Sequence, residues 1–221
     1  MVNIAIKGII FDFWGTLVNQ GINPSPVKQA KRILRANLLF RDYIVRFEDS
    51  FMTEEFDNLT DAFKNVAKEF DLNPPEFVYE KLVGMWNKNT LLSKPYDETV
   101  EVLEDLKEDY KLILIANTDP SSIPQVLEKF KLKDYFDAAV FSFEIGKLKT
   151  DKEMFKKVFK ETGLKKDELV MVGDSIPSDM KGAENAGVTP ILVDRNDKRE
   201  YKNKVNDLTE LREMIEGEKL E

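Results

Sequence analysis

The chain has 221 residues, 42% of them hydrophobic and 33% charged, with a formal net charge of -8. That is enough apolar material for one large domain or two small ones, and an acidic balance with no basic stripe excludes general binding along a nucleic-acid backbone. Cysteine and histidine are both absent, which removes thiolate nucleophiles, disulfides, zinc sites built on Cys or His, and every triad that needs an imidazole base.

In chain order, Met1 to Lys7 carries no cationic stretch leading into a long apolar run, and no apolar run anywhere is long enough to span a bilayer. A cytoplasmic location without a membrane partner is therefore expected. Lys7 to Asp12 reads as a buried strand that ends abruptly in a carboxylate, followed by the turn residue Gly15. No strand pattern is found from residue 19 to 92. There, Val27 to Phe40 predicts a helix, and Phe56, Leu59, Phe63, Val66 and Phe70 recur at spacings of three and four, one face of an amphipathic helix. Phe77 to Trp86 predicts another after Asn73-Pro74-Pro75, and Phe56, Phe63, Phe70 and Trp86 are expected to form the core of this helical stretch.

From residue 93 onward the pattern alternates. Asp97 is expected to cap a helix burying Val100, Leu103 and Leu106, before a strand over Lys111 to Ala116 and a helix over Pro124 to Lys131. A strand over Ala138 to Ser142, a helix over Lys152 to Thr162, a strand over Glu168 to Gly173, a helix over Asp179 to Ala186 and a strand over Thr189 to Val193 follow. Asp207 starts a last helix with Leu208, Leu211 and Ile215. This rhythm predicts an α/β fold: a doubly wound, Rossmann-like parallel sheet from residues 1–18 and 93–221, with a small all-helical insertion at 19–92 above the Asp12 loop.

In such a sheet the C-terminal strand ends share one edge, so Asp12, Asn117 and Asp174 are expected to converge, with Asp179 five residues beyond Asp174. Asp12 is a candidate nucleophile there. Converging carboxylates cannot all stay ionised without a counter-charge, and with few protein ligands available the expected solution is Mg²⁺ before Ca²⁺.

The segments Asp12-Phe13-Trp14-Gly15-Thr16, Leu112 to Asn117, Glu144-Ile145-Gly146-Lys147-Leu148-Lys149 and Gly173-Asp174-Ser175-Ile176-Pro177-Ser178-Asp179 occur in that order, the last followed by Gly182-Ala183 and Ala186-Gly187. In these four motifs the chain resembles the haloacid dehalogenase-like hydrolase superfamily, and the insertion at 19–92 is similar in place and character to that family's cap domain. The resemblance implies a Mg²⁺-dependent phosphatase acting on a small phosphorylated metabolite; a monomer is expected, and the acidic balance leaves no nucleic-acid partner expected. It implies Asp12 as the nucleophile that forms an aspartyl-phosphate, and Lys149 as the catalytic lysine that stabilises charge on the phosphoryl group and Asp12. It also implies Asp12, the backbone carbonyl of Trp14, Asp174 and Asp179 around the metal, Asp179 acting through water or on Lys149. Gly15, Thr16, Ala116, Asn117 and Thr118 fall at substrate-binding positions.

Three positions depart from the pattern. Trp14 stands where phosphatases of the family usually carry the Asp that protonates the leaving oxygen, and an indole N–H has no useful acidity. Without an acid from elsewhere, turnover should fall steeply as the leaving group becomes more basic; as packing, Trp14 is expected to wedge against the cap. Ala116 replaces a Ser or Thr, leaving Asn117 or Thr118 to take over, and Thr150 replaces a Pro. These departures keep two alternatives open: a 2-haloacid dehalogenase, disfavoured because a metal-binding Asp174 has little use in a metal-free reaction, and a catalytically weak member that binds a phosphorylated ligand or a protein.

Overall fold

In the computed structural model, which describes residues 5–217 and Leu220, the first strand β1 (Gly8–Phe11) is buried along its whole length. The outermost residues of the predicted core segments, 1–4, 218–219 and 221, lie outside the described residues. After β1 come four helices, α1 (Pro26–Leu34), α2 (Phe40–Met52), α3 (Leu59–Glu69) and α4 (Glu76–Leu92), then α5 (Thr99–Leu106) and β2 (Lys111–Ala116). The chain continues through α6 (Ser122–Lys129), β3 (Ala138–Phe141), α7 (Ser142–Ile145), α8 (Lys152–Thr162) and β4 (Leu169–Gly173). A π-helical turn (Ile176–Met180) leads into α9 (Lys181–Ala186), followed by β5 (Thr189–Val193), β6 (Lys204–Val205) and α10 (Leu211–Glu216).

The strands form a six-stranded parallel sheet in the order β3-β2-β1-β4-β5-β6. Both faces are covered, which is why the strands read as unbroken apolar runs. With alternating residues pointing to opposite faces, Ile9 and Phe11 join Leu112, Leu114, Val170 and Val172 in the layer packed by Leu103, Val126 and Leu211. Ile10 joins Ile113, Ile115 and Met171 in the opposite layer, against Met154, Phe155 and Val158 of α8 and Ala183 of α9. The strand order reverses at β1, with β2 and β3 on one side and β4 and β5 on the other, so a crevice opens beyond the carboxyl ends of β1 and β4.

Helices α1–α4 pack around an apolar cluster of their own. Its centre is aromatic: Phe51 lies 5.2 Å from Phe47, 4.8 Å from Phe63 and 4.7 Å from Trp86, centroid to centroid. Phe63 and Trp86 are buried in it, with Phe56 and Phe70 packed on its edge, as the sequence suggests.

Several boundaries differ from the sequence reading. The helix expected over 27–40 stops at Leu34, where Arg35 turns left-handed (φ 56°), and a separate helix that periodicity missed, α2, begins at Phe40. Phe56 precedes α3 rather than starting it, and α6 begins two residues before Pro124 because proline is tolerated in a first helical turn. Asp97 does not cap α5: the residue before that helix is Glu98, without a side-chain cap, and Val100 is exposed while Val102 takes the buried position. Asp207 does accept the Thr209 N–H at the start of the last helical stretch. The two-residue β6 is too short to carry a pattern. Among the described residues no helix is long and apolar enough to cross a membrane.

Candidate active site

Asp12 lies one residue beyond β1, held there by its N–H to the Val172 carbonyl (2.9 Å), so its carboxylate projects from the switch-point edge of the sheet. Phe13 turns back into the core, and Gly15 makes the next bend at φ 88°. That conformation suits glycine, and there is no room for more: a Cβ at Gly15 would come within 2.4 Å of the Asp174 carboxylate. Across the crevice, β4 delivers Gly173-Asp174, and the π turn swings Asp179 inward, where its Oδ2 accepts the Ser175 N–H (3.0 Å). A Cβ at Gly173 would meet Asp179 at 2.3 Å, so this glycine is what lets the turn close so tightly. Instead of capping α9, Asp179 faces the crevice; π turns of this kind often sit at functional sites.

Lys149 approaches from the loop ahead of α8. Its ammonium bonds Asp12 Oδ1 and lies 2.6 Å from Asp179 Oδ1, all three residues being at most 5% exposed. Thr16 donates its hydroxyl to Asp12 Oδ2 (3.1 Å), so both oxygens of the candidate nucleophile have partners. Asn117, just past β2, accepts the Lys149 N–H on Oδ1 (2.8 Å) and thereby ties the lysine loop to the sheet edge.

One lysine cannot balance so many carboxylates. Burial and repulsion from Asp179 push the Asp12 carboxyl up to about 6, although Lys149 pulls the other way. Burial, then repulsion from Asp12 and Asp179, push Asp174 up to about 8. On Lys149, burial disfavours the charge, but Asp12 and Asp179 outweigh it and hold its pKa above the ordinary lysine range. Asp12, Asp174 and Asp179 each offer an oxygen within 4.8 Å of the others. Hard oxygen donors carrying excess negative charge in a confined space are the donor set that Mg²⁺ takes.

These groups line a cleft of about 250 Å³ together with Trp14, Asn117 and, from the helices above, Glu48, Trp86 and Asn89. Of the residues singled out in the sequence, Asp12, Trp14, Asn117, Lys149, Asp174 and Asp179 line it. Gly15, Thr16, Ala116 and Thr118 do not: the Gly15 N–H is taken by the Val18 carbonyl (2.8 Å), and Thr16 is buried behind Asp12. Ala116 is the last buried residue of β2, and the Thr118 hydroxyl donates to the Asp119 carbonyl (3.0 Å). Trp14 packs edge-on against Phe13 (5.0 Å) as part of the sheet's apolar layer, not within the core of the helices above.

Sequence reasoning missed two contributors from the helices. Trp86 donates its indole N–H to Asp119 Oδ2 and Ser122 Oγ (3.1 Å each), joining α4 to the loop after β2. Glu48 accepts from Asn117 Nδ2 (3.1 Å) and so touches the sheet edge from α2. Its signal is the stripe Ile44, Glu48 and Met52 at intervals of four, all lining the cleft beside the buried stripe Tyr43, Phe47 and Phe51.

The family described as haloacid dehalogenase-like hydrolase matches residues 9–193 of this chain. The glyceraldehyde 3-phosphate phosphatase of Methanocaldococcus jannaschii is 29% identical, over 96% of this chain and 98% of its own. Among solved structures, a HAD phosphatase from Thermococcus onnurineus superposes with a TM-score of 0.64 at 25% identity, over 97% of this chain and 100% of its own. The L-2-haloacid dehalogenase of Xanthobacter autotrophicus reaches a TM-score of 0.66 at 18% identity, over 96% and 99%, a likeness of fold.

Proposed function

Because the chain belongs to the haloacid dehalogenase-like hydrolases and is a phosphatase of that family, we propose that it hydrolyses a small phosphorylated metabolite with Mg²⁺, through an aspartyl-phosphate on Asp12. The observation that carries this reading is the buried group of Asp12, Asp174 and Asp179 against Lys149 at the switch point of the sheet. Asp12, Asp174 and the Trp14 carbonyl would hold the cation, with Asp179 reaching it through water or serving Lys149. When bound, Mg²⁺ supplies positive charge against the phosphoryl oxygens and the carboxylates that crowd them.

The chain's own groups do the rest. Lys149 and Thr16 bond the two oxygens of Asp12 and fix its aim, so a carboxylate oxygen meets phosphorus without having to find its orientation. Lys149 also opposes the charge that builds on the phosphoryl oxygens as the bond to the leaving oxygen breaks. Helices α1–α4 act as a cap: by closing the crevice they exclude water until the aspartyl-phosphate has formed. As the relatives named for glyceraldehyde 3-phosphate suggest, a triose phosphate is the first substrate to try.

The experiment is phosphate release from D-glyceraldehyde 3-phosphate and 4-nitrophenyl phosphate, with Mg²⁺ and with excess chelator, for the wild type and Asp12→Asn. The wild type should turn over only with Mg²⁺, and Asp12→Asn not at all. Unchanged turnover by a folded Asp12→Asn protein would refute the reading.

A further inference from the structure

An aspartyl-phosphate mechanism on an alkyl phosphate needs a proton for the departing alkoxide, and Trp14 has none to give. Among the described residues lining the cleft, the titratable side chains are Asp12, Glu48, Lys149, Asp174 and Asp179. Asp12 is the nucleophile, Asp174 and Asp179 belong to the cation, and Lys149 is held as an ammonium by two carboxylates. Glu48 is the one left over.

Its placement suits the task. The aromatic stripe Tyr43, Phe47 and Phe51 anchors α2 in the helical core and presents the next stripe, Ile44, Glu48 and Met52, to the cleft. Asn117 Nδ2 bonds Glu48 Oε2, and the opposite end of the same amide bonds the Lys149 backbone, so Glu48 is indexed to the residue that holds the nucleophile. No protein partner among the described residues is assigned to Oε1, which leaves that oxygen for a ligand.

We propose that Glu48 is the general acid of the first step and the general base of the second, in the role that position 14 cannot fill. This rests on the phosphatase reading of Asp12. In the first step an Asp12 oxygen bonds phosphorus, the bond from phosphorus to the alkoxy oxygen breaks, and that oxygen leaves as an alcohol with the Glu48 proton. In the second, Glu48 takes a proton from water as the water oxygen bonds phosphorus and the bond to Asp12 breaks. Phosphate leaves, with Asp12 ionised and Glu48 protonated as at the start. The surroundings support a proton on Glu48 near neutrality: burial raises its carboxyl to about 7, aided by Asp179 and Asp12 and opposed by Lys149 and the Asn117 amide.

The test compares wild type, Glu48→Gln and Glu48→Asp on glycerol 1-phosphate, a basic leaving group, and 4-nitrophenyl phosphate, a weakly basic one. Gln keeps an oxygen to accept from Asn117, and thermal melts check the fold. Glu48→Gln should lose roughly 10²–10⁴-fold in kcat on glycerol 1-phosphate. On 4-nitrophenyl phosphate it should release a burst of about one nitrophenolate per enzyme and then run slowly, because the aryl oxide departs unaided while the aspartyl-phosphate waits for a base. Glu48→Asp should recover part of both. Wild-type rates in Glu48→Gln, or a loss on 4-nitrophenyl phosphate with no burst, would overturn the proposal. So would a wild type whose kcat falls steeply from aryl to alkyl phosphates, a result that does not depend on the variant folding. An active Asp12→Asn would instead overturn the phosphatase mechanism itself, so the two failures are distinguishable.

Discussion

Replacing Lys149 with Met is expected to damage stability before it damages anything subtler. Lys149 is 4% exposed and its ammonium is shared by Asp12 and Asp179, with Asp174 in the same cluster of oxygens. Removing one partner of a buried ion pair typically costs about 3–5 kcal/mol, because the other charge is left uncompensated. For a chain of this length each kcal/mol moves Tm by roughly 2–4 °C, so Lys149→Met should melt about 6–20 °C below the wild type at pH 8 in chelator. The deficit must shrink at low pH. Asp12 and Asp174 are raised in the folded protein to about 6 and about 8 from 3.8, so their contribution to stability is fully present below about pH 4 and is lost as pH rises through those values. Lys149, raised above its ordinary range, stays charged throughout, so its loss is felt most where the carboxylates are ionised. At pH 5 protons neutralise Asp12 and Asp174 in the variant, and Mg²⁺ at pH 8 should restore part of the deficit. The assay is a circular-dichroism melt of both proteins at pH 5 and pH 8, with Mg²⁺ and with chelator. A variant melting within about 2 °C of the wild type at pH 8 in chelator would refute the reasoning.

Three further outcomes are expected. Gly15→Ala places a methyl group 2.4 Å from the Asp174 carboxylate at a positive φ, so it should weaken Mg²⁺ affinity measured by calorimetry and lower Tm, with a backbone strain of about 1–2 kcal/mol. Asp174→Ala should make the Mg²⁺ requirement unsaturable at concentrations that saturate the wild type, as seen in a metal titration of phosphate release. Trp86→Phe keeps a ring in the aromatic cluster but deprives Asp119 of the indole N–H, which should lower stability by about 1.5–3 kcal/mol in urea unfolding, since bonds to charged acceptors carry that much.

The parts legible in the sequence are those whose signal is local and repeated. The strands ending at Asp12, Asn117 and Asp174 announce themselves because burial on both sheet faces requires unbroken apolar runs, and the shared edge of a parallel sheet then brings those ends together. Asn117 proves informative in a way its spacing does not show, since its amide serves the Lys149 backbone and Glu48 at once. Glu48 is hidden because α2 is hidden: the segment 35–39 reads as helical by periodicity, yet Arg35 adopts αL and resets the phase, so the stripe carrying Glu48 falls outside any predicted helix. Thr118 illustrates the converse, a hydroxyl in the right stretch of sequence whose direction only the turn decides, here toward the Asp119 carbonyl.

The chain has two tryptophans, Trp14 lining the cleft beside Asp12 and Trp86 bonded to a carboxylate across the seam between the helices and the sheet. Indole emission shifts with nearby charge and with hydrogen bonding, so the molecule carries its own pair of optical probes at the two places where events are expected. Trp14 should respond when cation or phosphate enters the cleft, and Trp86 when the seam to Asp119 parts. With each replaced by Phe in turn, stopped-flow fluorescence would time ligand arrival and seam opening separately, in unlabelled protein and during a single turnover.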